Sequence, residues 1–259
     1  MIITDPEYRE EFNRYIGFDV LKRTRQASDF VVPLKNGNVY MEFHWVDQSL
    51  VRLATTDEDL IVAAENPKII EYSKTAGDAG TGIDELYTFF TLSTADDIIV
   101  LQRMEDKIFR LQERLLSAEK TSQADADEIA KYRNKILKSK RYYTMMEFLT
   151  DELAAQNKRF RFIDRRFDRL QQIAINNHEY IEEVMDSYQS HIDLEQNNIM
   201  RYLTVITSIF MPLQLVTGWY GMNVAMPEFR WRFGYPFVIA LSVGLIVVLL
   251  WICKKKKWL

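Results

Sequence analysis

The chain of 259 residues carries 33 Lys and Arg against 37 Asp and Glu, and it has a single cysteine. One cysteine excludes an intramolecular disulfide framework, and a net charge of −4 argues against a nucleic-acid binder. Three histidines, His44, His178 and His191, lack zinc or catalytic spacing, and no glycine-rich phosphate loop is present, so the chain does not read as an enzyme.

In chain order, Tyr8, Phe12, Tyr15, Ile16 and Val20 recur at helical spacing and predict a helix from Asp5 to about Ala27. The polar, acidic start of the chain does not read as a cleavable signal. From Phe30 to about Glu65, short β-rich runs separated by turns such as Asn36-Gly37 predict a small antiparallel sheet. Three glycines mark Thr75 to Gly82 as a loop. Ile83 to about Glu119 and Ala124 to about Ala155 are long helical patterns that predict an antiparallel hairpin. A third long helix is predicted to start near Asn157. No Gly or Pro interrupts it before Pro212, so it should run unbroken into the apolar stretch beyond, as a stiff stalk. Its first turns, Lys158 to Arg169, mix cations with aromatics and read as a face packed against acidic neighbours.

Two stretches, Tyr202 to Tyr220 and Phe237 to Cys253, are 19 and 17 residues long and carry no formal charge. Both fall at the short end of what spans a hydrocarbon core of ~30 Å. The connection between them, Gly221 to Pro236, is short enough to require antiparallel neighbours. Lys254 to Lys257 abut the second stretch, and the positive-inside rule places them, both termini and residues 1–199 in the cytoplasm. Residues 200–259 sum to +6 and residues 1–199 to −10, so an acidic region is expected beneath a cation pathway.

The second stretch is almost wholly aliphatic, as a lipid-facing helix should be, whereas the first holds Thr204, Thr207, Ser208, Gln214 and Thr217. Polar groups in hydrocarbon are costly unless they face protein or a water-filled cavity. Stepping by sevens aligns Asn197, Thr204, Met211 and Gly218 on one line. Asp186, Asp193, Met200, Thr207, Gln214 and Gly221 fall on the adjacent line. This seam would pack badly as a dry dimer, and several copies around an axial water column would satisfy it. Back-bonding of the threonines to their own helix could account for two or three positions.

The runs Gln196 to Thr204, Ile209 to Pro212, Gly218-Trp219-Tyr220-Gly221-Met222-Asn223 and Met226-Pro227-Glu228 closely resemble the CorA family of magnesium channels. The stretch Arg230 to Pro236 and the lysine-rich tail resemble it as well. The close likeness covers about the last quarter of the chain. It implies an α+β membrane protein assembled as a homopentamer in the cell (inner) membrane. Each subunit would carry a small cytoplasmic α/β domain (1–80), a helical hairpin and stalk (81–201), two transmembrane helices (202–253) with an external loop (221–236), and a basic cytoplasmic tail (254–259).

The same resemblance implies roles for single residues. Gly221, Met222 and Asn223 would form the selectivity filter, with Gly221 permitting a turn that a β-carbon resists, and Glu228 would concentrate cations at the mouth. Mg²⁺ keeps several of its waters, so a ring of Asn223 carbonyls can bind the hydrated ion without stripping it. Leu203 and Met211 match a hydrophobic constriction that gates by dewetting. Asn197 and Asp186 match polar rings lower in the conduit, with Thr204 and Thr207 between, and Gly218 keeps the upper pore wide. Gln214 stands where the family commonly has threonine. Asp164 and Asp168 are the nearest candidates for regulatory Mg²⁺ ligands, with Asp57, Glu58 and Asp59 as an opposing group unless a turn explains them.

The function expected is potential-driven Mg²⁺ uptake, with Co²⁺ and Ni²⁺ as further ions. The alternatives are a Zn²⁺ transporter of the ZntB type, with proton coupling, and a membrane-anchored scaffold with a vestigial pore.

Overall fold

The computed structural model describes residues 2–3, 29–77, 79–117, 122–222, 231 and 233–256. The helix expected from Asp5 to Ala27 lies outside these residues. The chain divides into two units, residues 1–186 and 187–259.

The first unit is built on a sheet of β1 (Ile2–Ile3), β2 (Phe30–Pro33), β3 (Val39–His44), β4 (Leu50–Thr55) and β5 (Leu60–Ala64), in the order β1-β5-β4-β3-β2. The antiparallel meander from β2 to β5 follows the turn signals. Asn36 and Gly37 both take positive φ, 60° and 78°, between β2 and β3, as a tight reversal there requires. The sequence did not disclose β1, which pairs parallel to β5 with Ile2 opposite Val62. Two residues are too short to show a period.

Side chains alternate across the strands as the pleat dictates. Met41, Phe43, Val51, Leu53 and Val62 enter the main core under the helices, whereas Tyr40, Ala54 and Ile61 form a smaller cluster of their own.

After the sheet come α1 (Pro67–Ala76), α2 (Gly82–Ser93), α3 (Asp97–Ser117) and α4 (Gln123–Gln156). The loop expected over Thr75 to Gly82 begins later than expected, because α1 runs to Ala76, and α2 begins at Gly82. The sequence reading passed over α1, although Asn66 caps it, accepting from the Lys68 amide at 2.9 Å, and Pro67 opens it. Thr81 and Asp84 form a capping box at the start of α2, and Ser122 and Asp125 form another at the start of α4.

The single helix expected from Ile83 to Glu119 is broken at Thr94. The Thr94 hydroxyl and amide and the Ser93 hydroxyl all turn back to the Phe90 carbonyl. The Thr94 carbonyl then accepts from Arg166 at 2.8 Å and from the Asp97 amide at 3.4 Å, which fixes the turn into α3.

From Asp97 onward, Leu101, Met104, Ile108, Leu111 and Leu115 are buried at spacings of three and four. They lay α3 against α4 as the predicted hairpin, and Arg114 ties its end to Glu128 at 2.5 Å.

A short 3-10 turn, Lys158–Phe160, leads into α5 (Arg161–Tyr220), which runs unbroken as expected. Phe160, Ile163, Phe167, Leu170 and Ala174 insert into the main core at helical spacing. Part of the basic start of this region packs against an acidic neighbour, while Lys158, Arg161, Arg165 and Arg169 are exposed. Arg159 pairs with Asp84 of α2, and its guanidinium lies 5.1 Å from the centre of the Tyr87 ring. Buried Asn177 donates to the Leu101 carbonyl at 3.0 Å. The second unit holds the remainder of α5 and α6 (Gly234–Lys255).

Candidate ion pathway

Two helices among the described residues are long and apolar enough to cross a membrane, α6 and the C-terminal part of α5. Pro212 sits inside α5 and lacks an N–H, so the Ser208 carbonyl loses its i+4 donor, yet the helix continues to Tyr220.

Burial along α5 from residue 202 onward is one-sided. Val205 is buried, and Ser208, Ile209, Pro212, Leu213 and Val216 are half-buried. At about 100° per residue these positions share one side of the helix. Leu203, Thr204, Thr207, Met211, Gln214 and Gly218 are all exposed and lie on roughly the opposite side. Asn197 and Asp186, further down the helix, are exposed as well. The seam is therefore the side of α5 that the chain itself leaves uncovered.

Its hydroxyls are not idle. Thr204 donates to the Met200 carbonyl at 2.7 Å, Thr207 to Leu203 at 2.8 Å and Thr217 to Gln214 at 3.2 Å. In the single chain these three threonines back-bond, as the simpler reading of the sequence allowed, while their oxygens keep a further lone pair to offer outward.

Gly221 closes the last turn, its amide donating to the Thr217 carbonyl at 2.9 Å. A β-carbon there would come within 2.9 Å of that carbonyl oxygen. Close approach is what demands glycine here, since the residue is not among those with positive φ. Met222 is exposed. Asn223 and Glu228 lie outside the described residues.

The proposed regulatory pair occupies a different place. Asp164 and Asp168, one turn apart on α5, share a surface with Glu147 and Asp151 of α4. Burial, followed by the neighbouring carboxylates, raises the pKa of both Asp164 and Glu147. Among the described residues no three His, Cys, Asp or Glu side chains are arranged to hold a metal ion.

The sequence reading did not single out Glu147 and Asp151, although their i,i+4 spacing repeats that of Asp164 and Asp168. Across the sheet, Asp57 accepts from Asn38 at 2.7 Å and Asn36 at 3.2 Å, and the Asp59 amide and carbonyl bond Thr56. The β4–β5 turn thus accounts for Asp57 and Asp59.

A family model described as CorA-like Mg²⁺ transporter protein matches residues 45–255. The cobalt/magnesium transport protein CorA of Thermotoga maritima is 30% identical over 183 residues, 67% of this chain and 52% of that protein. The match therefore spans about half the length of that relative. Among solved structures, the CorA magnesium transporter of Methanocaldococcus jannaschii superposes with a TM-score of 0.75 at 18% identity, covering 100% of this chain and 90% of the other. The ZntB cytoplasmic domain of Vibrio parahaemolyticus is a more distant likeness, with a TM-score of 0.58 at 12% identity, covering 74% of this chain and 86% of that one. These two likenesses concern the fold. With the family match extending over most of its length, the chain belongs to the CorA-like Mg²⁺ transporter family.

Proposed function

We propose that the chain is one subunit of a homopentameric Mg²⁺ channel in the cell membrane, with its termini in the cytoplasm. The reading is supported above all by the polar seam of α5, which faces away from the side the chain covers and is left for other copies to enclose around water. In this reading residues 1–80 and 81–201 are the cytoplasmic domain and stalk, residues 202–253 the pore domain with its external loop 221–236, and residues 254–259 the basic tail.

The conduction mechanism follows from the chemistry of the ion. Hydrated Mg²⁺ meets the Gly221-Met222-Asn223 mouth, where neutral amide carbonyls accept hydrogen bonds from its water shell. Glu228 raises the local cation concentration without binding the ion in the conduit. Below, Gln214, Thr207, Thr204, Asn197 and Asp186 offer successive weak polar contacts, which favour conduction over trapping. Leu203 and Met211 interrupt that polarity and would empty of water when the ring narrows. Membrane potential contributes ~2.3 kcal/mol per charge per 100 mV, so a divalent ion enters without chemical coupling.

The test is flux into liposomes holding the purified protein, comparing Mg²⁺, Co²⁺, Ni²⁺ and Zn²⁺ with and without a proton gradient. Mg²⁺ entry that follows voltage alone, and falls at least about tenfold in Asn223→Ala, is the expected result. Zn²⁺ entry that requires the proton gradient would move the protein to the ZntB-type reading. Absence of flux for every ion would leave only a scaffold.

A further inference from the structure

Val100, Arg103, Met104 and Lys107 of α3, with Tyr132 and Lys135 of α4, line a groove of about 140 Å³ in the first unit. Three of the six are cations, none is acidic, and all three cations are exposed. Elsewhere in this unit Arg52 pairs with Glu42, Arg133 with Glu182, Arg159 with Asp84, and Arg114 with both Asp125 and Glu128. Arg103, Lys107 and Lys135 form no such pair among the described residues.

The arrangement follows from how charge is sorted on the two helices. Glu105 and Glu113 of α3 turn toward Tyr180 of α5, where their fields help raise the phenol's pKa after burial. Arg103 and Lys107 of α3 lie beside α4 across the groove, and Arg114 reaches α4 through Asp125 and Glu128. From Ile129 to Met146, α4 carries six Lys and Arg and no Asp or Glu. Like charges brought together across two packed helices repel, and a multiply charged anion between them would relieve that repulsion. The floor is not purely ionic either. Buried Met104, half-buried Tyr132 and exposed Val100 give an apolar and aromatic surface beside the cations.

We propose that this groove binds a compact polyphosphate, its phosphates held by Arg103, Lys107 and Lys135, with Tyr132 placed to stack on a base where the ligand is a nucleotide. Arginine and lysine are the ordinary partners of phosphate oxygens, and an aromatic face accepts any base. Polyphosphates also chelate Mg²⁺. If the chain transports Mg²⁺ as proposed above, occupancy of the groove would change with the free concentration of the ion being carried.

Calorimetric titration of the purified full chain with ATP and with tripolyphosphate, in Mg²⁺-free, low-salt buffer, tests the assignment. It reads binding and needs no flux, so its outcome is independent of whether the chain conducts. One saturable site per chain is expected, weakened at least about tenfold by the double variant Lys107→Ala/Lys135→Ala and weakened by added salt. All these residues are exposed, so the variant should keep the wild-type thermal midpoint. The double variant Lys74→Ala/Lys158→Ala removes the same charge elsewhere and should bind as wild type. Equal affinity for the two ligands would assign the groove to the phosphate chain alone, and a preference for ATP that Tyr132→Leu abolishes would add the base. No saturable binding of either ligand would overturn the proposal, as would equal weakening in the charge control or full binding in Lys107→Ala/Lys135→Ala.

Discussion

In the first unit Phe43, Phe90, Phe160 and Phe167 are completely covered by the chain's own residues. In the second, the buried hydrophobic residues among those described are Val205 and Cys253, while Phe210, Leu215 and Val247 stand more than half exposed. Both units are rich in apolar side chains, so composition alone does not separate them. The difference lies in what covers those side chains. The first unit supplies its own cover by laying a sheet against helices. The second presents two helices whose apolar surface the chain itself leaves largely uncovered, an arrangement a bilayer permits because a helix satisfies nearly all its backbone groups internally.

The sharpest way to break this contrast is to cut a large side chain from each unit. Phe90 is wholly buried, packed edge-on against Phe167 with ring centres 5.9 Å apart. Phe90→Ala should cost about 3–5 kcal/mol and lower the thermal midpoint of the purified protein by many degrees. Leu215→Ala, at a position 71% exposed within the chain, should leave that midpoint nearly unmoved for a dissociated subunit. Equal losses would mean that the second unit buries far more of itself than its single-chain geometry indicates.

A smaller loss is expected where the first unit packs backbone on backbone. A β-carbon on Gly82 would overlap the carbonyl oxygens of Thr56 and Asp59, because the start of α2 sits directly on the β4–β5 turn. Neither carbonyl can move without opening that turn, so Gly82→Ala should destabilise by about 1–3 kcal/mol, measured as the same midpoint. Gly80→Ala would also be strained, mainly through a φ of 120°, with the Asp84 carboxylate 3.2 Å from the added β-carbon.

These two glycines show what could be read in advance and what could not. Turn residues, strand alternation and the 3.6-residue period are local, and they located β2 to β5, the α3–α4 hairpin and the long α5. The break at Thr94 was not legible, because one of the contacts that fix it comes from Arg166, distant in sequence, on the Thr94 carbonyl. The seam of α5 was legible as a period, but that it faces away from the covered side required the pattern of burial. The proximity of Glu147 and Asp151 to Asp164 and Asp168 belongs to the α4–α5 crossing, which no local pattern encodes.

A third effect depends on pH. Asp97 opens α3, half-buried, hydrogen-bonded to Tyr143 and within the field of Arg166. Burial dominates and pushes its carboxyl from 3.8 up to about 6. A carboxyl harder to ionise in the folded chain than in the unfolded one stabilises the fold most below pH 4. That contribution disappears as pH rises through about 6. With partial solvent access allowed for, about 1–2 kcal/mol should be lost over this interval. Asp97→Asn should flatten the pH dependence of the midpoint between pH 4 and 6 and match or exceed the wild type at pH 7.5. A variant markedly less stable at pH 7.5 would show that attraction to Arg166 outweighs the cost of burial.

The smallest stability effect is expected in the seam, where it separates the two readings of the threonines. The Thr207 hydroxyl back-bonds to the Leu203 carbonyl, a contact that contributes little to a helix already satisfied by its own amides. Thr207→Val keeps the shape and removes only the hydroxyl, so stability should stay within about 0.5 kcal/mol of the wild type, with the midpoint nearly unmoved. Flux should nevertheless fall if Thr207 faces conducted water, because a ring of valines withdraws one polar contact from every subunit at the same depth. A lowered flux with an unmoved midpoint would place the hydroxyl in the pathway. Unchanged flux would leave the seam threonines with back-bonding as their whole role, and the pathway would then rest on Asn197, Gln214 and the mouth.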